Sequence, residues 1–126
     1  MIRSKLEVLD VAAVLFPSSF ADFERIVPPA AVLELDGTIV ALNAAGVRLL
    51  ARPPAEVIGR KAWEFAPGME HVWRERLTGG HPGSASFAIA IATAHGARDL
   101  EYVIGVCDLD GQAYVVAIAI AVKPLA

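Results

Sequence analysis

Between Ser4 and Phe16 the apolar residues Leu6, Leu9, Ala13 and Phe16 recur at spacings of three and four, with Ala12 and Leu15 beside them. That stripe predicts an amphipathic helix, which Pro17 ends. A shorter helix follows, with Ser19 as N-cap, Asp22 three residues later, and Phe20, Phe23, Ile26 and Val27 on one face. Pro28-Pro29 closes it. From Ala31 the period changes: Val32-Leu33-Glu34-Leu35 and Ile39-Val40-Ala41-Leu42 are short strand patterns around Asp36-Gly37, a hairpin turn. Asn43 then caps a short helix over Ala44 to Ala51, with Val47, Leu50 and Ala51 directed inward and Pro53-Pro54 behind it.

The next stretch is irregular. One helical turn spans Ala55 to Ile58 and closes at Gly59, Pro67-Gly68 breaks the chain, and Met69 to Leu77 is helical. Beyond Gly79-Gly80 the pattern predicts three long strands, about Gly83 to Ala94, Arg98 to Cys107 and Gln112 to Val122, turning at His95-Gly96 and Asp110-Gly111. Strict alternation puts Phe87, Ile89, Ile91, Leu100, Tyr102, Ile104, Val106, Tyr114, Val116, Ile118, Ile120 and Val122 on one face. The other carries small residues, among them Ala88, Ala90, Gly105, Ala113, Ala117 and Ala119. A smooth alanine face without charges implies a cover, either the N-terminal helices or a second subunit; one bulge would exchange the faces.

Composition narrows the function classes. A chain of 126 residues that is 56% hydrophobic has the material for one buried core. Its apolar runs are broken before the roughly 20 residues that span a bilayer, and no cleavable leader is evident, so a cytoplasmic, non-membrane protein is expected. With a net charge of −3 and eleven scattered basic residues, nucleic-acid binding is not expected. The lone Cys107 rules out an internal disulfide and a multi-cysteine metal site.

The order helix, ββ, helices, βββ, with Leu35-Asp36-Gly37-Thr38-Ile39-Val40-Ala41-Leu42-Asn43-Ala44-Ala45 and then Glu56-Val57-Ile58-Gly59-Arg60, resembles the PAS family from Pro29 to Lys123. Within it, Asn43-Ala44-Ala45, Val57-Ile58-Gly59-Arg60 and Phe65-Ala66-Pro67 look most like the photoactive yellow protein branch. That branch attaches its chromophore through a Cys after the matching Ala-Pro, where this chain has Gly68, and its chromophore-contacting Tyr and Glu fall at Leu42 and Gly46. The resemblance thus implies a PAS pocket without a thioester-linked chromophore. The short Asn-Cys-Arg-type motif of the flavin-binding branch is also absent, and the Asp-Ile-Thr exit motif is missing after Val122.

The resemblance implies an α+β fold: a five-stranded antiparallel sheet with helices on one face and N-terminal flanking helices. Residues 1–28 form the flank, for dimerisation or sheet cover, and residues 29–126 the PAS-like domain. Candidate ligand-binding residues are Trp63, Phe65, His71, Phe87, Tyr102 and Ile104, and candidate dimerisation residues are Leu6, Leu9, Ala13 and Phe16. His71 lies where haem-binding relatives carry an axial ligand, against the plainer reading of a surface histidine beside Glu70 and Glu75. Trp63, Phe65 and Tyr102 suit a pocket lining and a plain core alike. Cys107 has no neighbouring cation to activate it, and no catalytic triad or paired acid and base stands out, so no catalytic residue and no metal site are expected. The expected function is a dimeric sensory or regulatory domain that binds a small ligand or a partner protein and signals to an effector. The alternatives are a haem- or flavin-binding sensor, or a small isomerase-like enzyme with a cone-shaped α+β fold. The cofactor is left open.

Overall fold

A computed structural model of the chain describes residues 16–78 and 85–124. Helix α1, Phe20–Glu24, begins at Ser19, whose backbone is extended and whose Oγ accepts the Asp22 N–H at 3.0 Å. Strands β1, Ala30–Leu33, and β2, Ile39–Leu42, form the expected hairpin. Its turn holds Gly37 at φ +91, a conformation open to glycine, while the Thr38 N–H donates to Asp36 Oδ1 at 3.0 Å.

Helix α2, Ala44–Leu50, starts at Asn43 as predicted. It ends at Ala51 in the left-handed region at φ +55, so Ala51 is its C-cap and not its last inward residue. Two 3₁₀ turns, Pro54–Glu56 and Ala62–Glu64, lead to α3, Met69–Thr78. Strands β3, Ala85–Thr93, β4, Gly96–Leu109, and β5, Gln112–Pro124, complete an antiparallel sheet in the order β2-β1-β5-β4-β3. The predicted α+β class and five-stranded sheet are therefore the observed ones.

The face assignment needs a correction. The β4–β5 register pairs Glu101 with Ala121 but Tyr102 with Ala119, so β5 has one extra residue at this point. A one-residue slip exchanges the faces of a strand. Ala117 and Ala119 consequently join Leu100, Tyr102 and Ile104 in the core under α2 and α3, whereas Val116 and Ile118 look the other way. The N-terminal flank therefore covers large side chains and not the alanines.

Two apolar clusters result, one on each side of the sheet. The larger lies beneath the helices and includes Leu50, Val57, Phe65, Met69, Trp73, Leu100 and Tyr102. The smaller joins Phe23, Val32, Leu109, Val116 and Ile118, with Phe16, Phe20, Ile26 and Tyr114 packed around them. Phe23 is fully buried, and Phe20 meets Tyr114 edge to face with ring centroids 5.3 Å apart. Burying such a side chain is worth about 1.5–3 kcal/mol, so α1 is held to the sheet by packing, since five residues cannot sustain a helix in water. Val27, expected on the same face, is instead 84% exposed because the helix has already ended.

Phe16 also belongs to this cover. A Cβ added at Gly105 would stand 2.9 Å from its ring, so the glycine makes room for the aromatic. Leu6, Leu9 and Ala13, the other predicted dimerisation residues, lie outside the described residues.

Candidate functional site

Where α2 crosses β1 and β5, the residues are too small to fill the core. Gly46 meets Ala30, a Cβ on it lying 3.0 Å from the Ala30 carbonyl oxygen, and Ala31, Ala117 and Ala119 offer only methyl groups. Pro29, Leu42, Leu49, Leu50, Ile91, Leu100 and Tyr102 line the remainder of a half-open cavity of about 50 Å³. This exceeds the roughly 10–15 Å³ needed by one water and falls far below the roughly 300 Å³ at which drug-sized pockets begin. The lining is almost wholly apolar. Tyr102 is its one residue with a polar side chain, and burial pushes the phenol above its ordinary pKa, so it stays neutral as a hydrogen-bonding group.

Asn43 bonds two of the lining residues, Ala30 and Gly46, and uses its whole side chain. Oδ1 accepts from the Gly46 N–H at 2.8 Å and the Ala30 N–H at 3.0 Å, while Nδ2 donates to the carbonyls of Ile26 and Pro28, both at 2.8 Å. An amide has two donor hydrogens and two acceptor lone pairs, so a fully buried Asn43 is satisfied in every direction. The cap predicted for α2 is thus also the tie that holds the flank's exit against the first strand. The Ala119 N–H adds a bond to the Pro29 carbonyl at 2.8 Å.

Of the six ligand-binding candidates, Tyr102 lines the cavity. Phe65 and Ile104 are buried in the same apolar cluster without reaching it. Trp63 is half-buried over the β1–β2 turn, where its ring leaves no space for a side chain on Gly37. It stands edge to face with Trp73, centroids 6.4 Å apart, and Trp73 Nε1 donates to the Leu35 carbonyl at 2.9 Å. The two tryptophans brace the turn. Phe87 pairs with Tyr102 through the backbone register, and its side chain lies outside the described set.

His71 departs from the expectation. Met69 and Trp73, one helical turn apart, take the buried face of α3, which leaves His71 87% exposed with Nε2 3.3 Å from Glu75 Oε2. The sequence reading missed Gly46, whose place inside a short helix is itself a sign of close backbone approach, and the long-range bonds of Asn43.

The titratable groups are placed for structure. The Thr38 N–H, followed by Lys61 3.0 Å away, lowers Asp36 to about 2. Glu64 is held below its ordinary value by the Lys61 N–H and Arg60. Burial pushes the Cys107 thiol up to about 11, away from thiolate chemistry. Among the described residues no three His, Cys, Asp or Glu side chains gather as a metal site, and no helix is long and apolar enough to cross a membrane.

A family model described as the PAS fold matches residues 23–119. Among solved structures, the PAS domain of an HTR-like protein from Haloarcula marismortui superposes with a TM-score of 0.69 at 26% identity, covering 77% of this chain and 88% of that one. A PAS domain from a two-component sensor histidine kinase gives 0.66 at 12% identity, covering 95% and 99%. The PAS domain of nitrogen regulation protein NR(II) from Vibrio parahaemolyticus gives 0.60 at 11%, covering 90% and 96%. No curated protein sequence matches the chain.

Proposed function

The chain belongs to the PAS family, and from that premise we propose that it is a sensory or regulatory domain, without catalytic chemistry, whose input is a small apolar ligand in the Tyr102 cavity. One observation carries the reading: the segment Pro29–Ala31 is a wall of the cavity and also the anchor of the N-terminal flank. Pro29, Ala30 and Ala31 line the space, while Asn43 joins Ala30 to the carbonyls of Ile26 and Pro28. A ligand that displaces this wall by a fraction of an ångström acts on the same backbone that holds α1. A ligand shifts a conformational equilibrium only through differential contacts in the two states, and the shared wall supplies such contacts.

The output runs through the flank to a second copy or to an effector protein, in the cytoplasm. Phe16, Phe20 and Phe23 form the cover on the side of the sheet away from the cavity. The cavity's size favours a ligand of a few non-hydrogen atoms over haem or flavin, and the exposed position of His71 removes support for haem ligation. Depressed carboxyl groups at Asp36 and Glu64 likewise give an isomerase-like acid or base no support.

Native mass spectrometry of the purified protein, paired with a visible absorption spectrum, tests the reading. A retained small apolar molecule in a colourless protein is the expected result. A Soret or flavin band, or a protein that takes up no small apolar compound at saturating concentration, would overturn it.

A further inference from the structure

Just past the C-terminal end of α2, an open pocket of about 320 Å³ is lined by Arg52, Glu56, Arg60, Glu64, Phe65 and Ala92, and it shares no residue with the Tyr102 cavity. Its two cations are not equivalent. Arg60 is engaged by Glu64 at 3.1 Å, and Glu64 also accepts from the Lys61 N–H at 3.1 Å. Arg52 stands over the Phe65 ring, 5.7 Å from its centroid, and among the described residues it forms no ion pair. Its Nε is buried without a hydrogen-bond acceptor among the described residues.

The aromatic face offsets part of the cost of desolvating a guanidinium but offers no acceptor to the buried N–H. An oxyanion entering the open side of the pocket meets the terminal N–H groups of the planar fork, whose end-on pairing suits a carboxylate, while the buried Nε–H lies behind them. The surrounding charge selects its valence, because Glu56 and Glu64 repel a dianion more strongly than a monoanion. The Phe65 ring and the Ala92 methyl group leave room for a short apolar body. We propose that Arg52 and Phe65 form a binding site for a small organic monocarboxylate, separate from the cavity of the sensory reading.

The test is a titration of the full chain with sodium butyrate, followed by ¹H–¹⁵N NMR at the Arg52 Nε–H and the Phe65 and Ala92 amides, with sodium chloride at equal ionic strength as reference. Saturable shifts beyond those of chloride are expected, and Arg52→Gln is expected to weaken them at least about tenfold, the loss of one charge-assisted hydrogen bond. Glu56→Gln, at an exposed position, is expected to strengthen butyrate binding, and inorganic phosphate at alkaline pH is expected to bind more weakly than butyrate. Shifts no larger than those of chloride, equal affinity in Arg52→Gln, or tighter binding of phosphate would each overturn the assignment. Should Arg52→Gln fail to fold, unchanged butyrate affinity in Glu56→Gln overturns it instead. The probes lie outside the Tyr102 cavity, so failure here is distinguishable from failure of the sensory reading.

Discussion

On the helix side of the sheet, β1 and β5 turn Ala31, Ala117 and Ala119 towards Gly46, and a cavity remains. On the other side the same two strands turn Val32, Val116 and Ile118 towards Phe23, and the space is filled. Both faces are apolar, and both are covered by helices. The difference is side-chain volume at adjacent positions of shared strands, with small groups against glycine on one side and branched groups against an aromatic on the other. Close packing is the norm in protein interiors, so a gap walled by alanines is a choice made residue by residue.

Breaking the filled face has the largest expected effect. Phe23→Ala removes the fully buried centre of the smaller cluster and is expected to cost about 3–5 kcal/mol, read as a fall in the urea midpoint. Next comes the tie between the faces. Asn43→Ala leaves the Ala30 and Gly46 N–H groups and two flank carbonyls without their partner, an expected loss of about 2–4 kcal/mol by the same assay. Asn43→Asp keeps the two acceptor bonds but loses both donors to the flank, so it is expected to loosen α1 more than α2.

Away from both faces, the β1–β2 turn gives a smaller effect with a defined pH dependence. Asp36 is held at about 2 in the fold against an ordinary value of 3.8, so its turn bonds stabilise the folded chain fully above the ordinary value. That contribution is lost as the pH falls through about 2. The advantage of the wild type over Asp36→Asn is expected to shrink on acidification in a thermal-denaturation series. An advantage that grows on acidification would show that the carboxylate does not carry the turn.

The sequence made the element order legible because the signals were local. As cap and turn signals, Ser19, Asp36-Gly37, Asn43 and Asp110-Gly111 can each be read within four residues, and all stand where they were expected. The site was less legible because it depends on register and on distance along the chain. One extra residue in β5 exchanges the alanines with Val116 and Ile118, and no local preference marks where that residue falls. The amide of Asn43 reaches back to Ile26, 17 positions earlier, which a capping pattern does not announce. His71 was a ligand candidate through its place in the family pattern, beside the plainer reading of a surface histidine, and the Met69 and Trp73 pairing that turns it outward is a tertiary fact.

The cavity wall and the flank anchor are one piece of chain, Pro29–Ala31. Ala119→Val adds two methyl groups at the cavity lining, beside the backbone bond from Ala119 to Pro29, and is expected to change global stability by less than about 1.5 kcal/mol. Amide hydrogen exchange in this variant tests the claim directly. The account predicts altered protection across Phe23 and Ile26, on the far side of the sheet, with the Asp36-Gly37 turn unchanged; alteration confined to the residues around the cavity would contradict it.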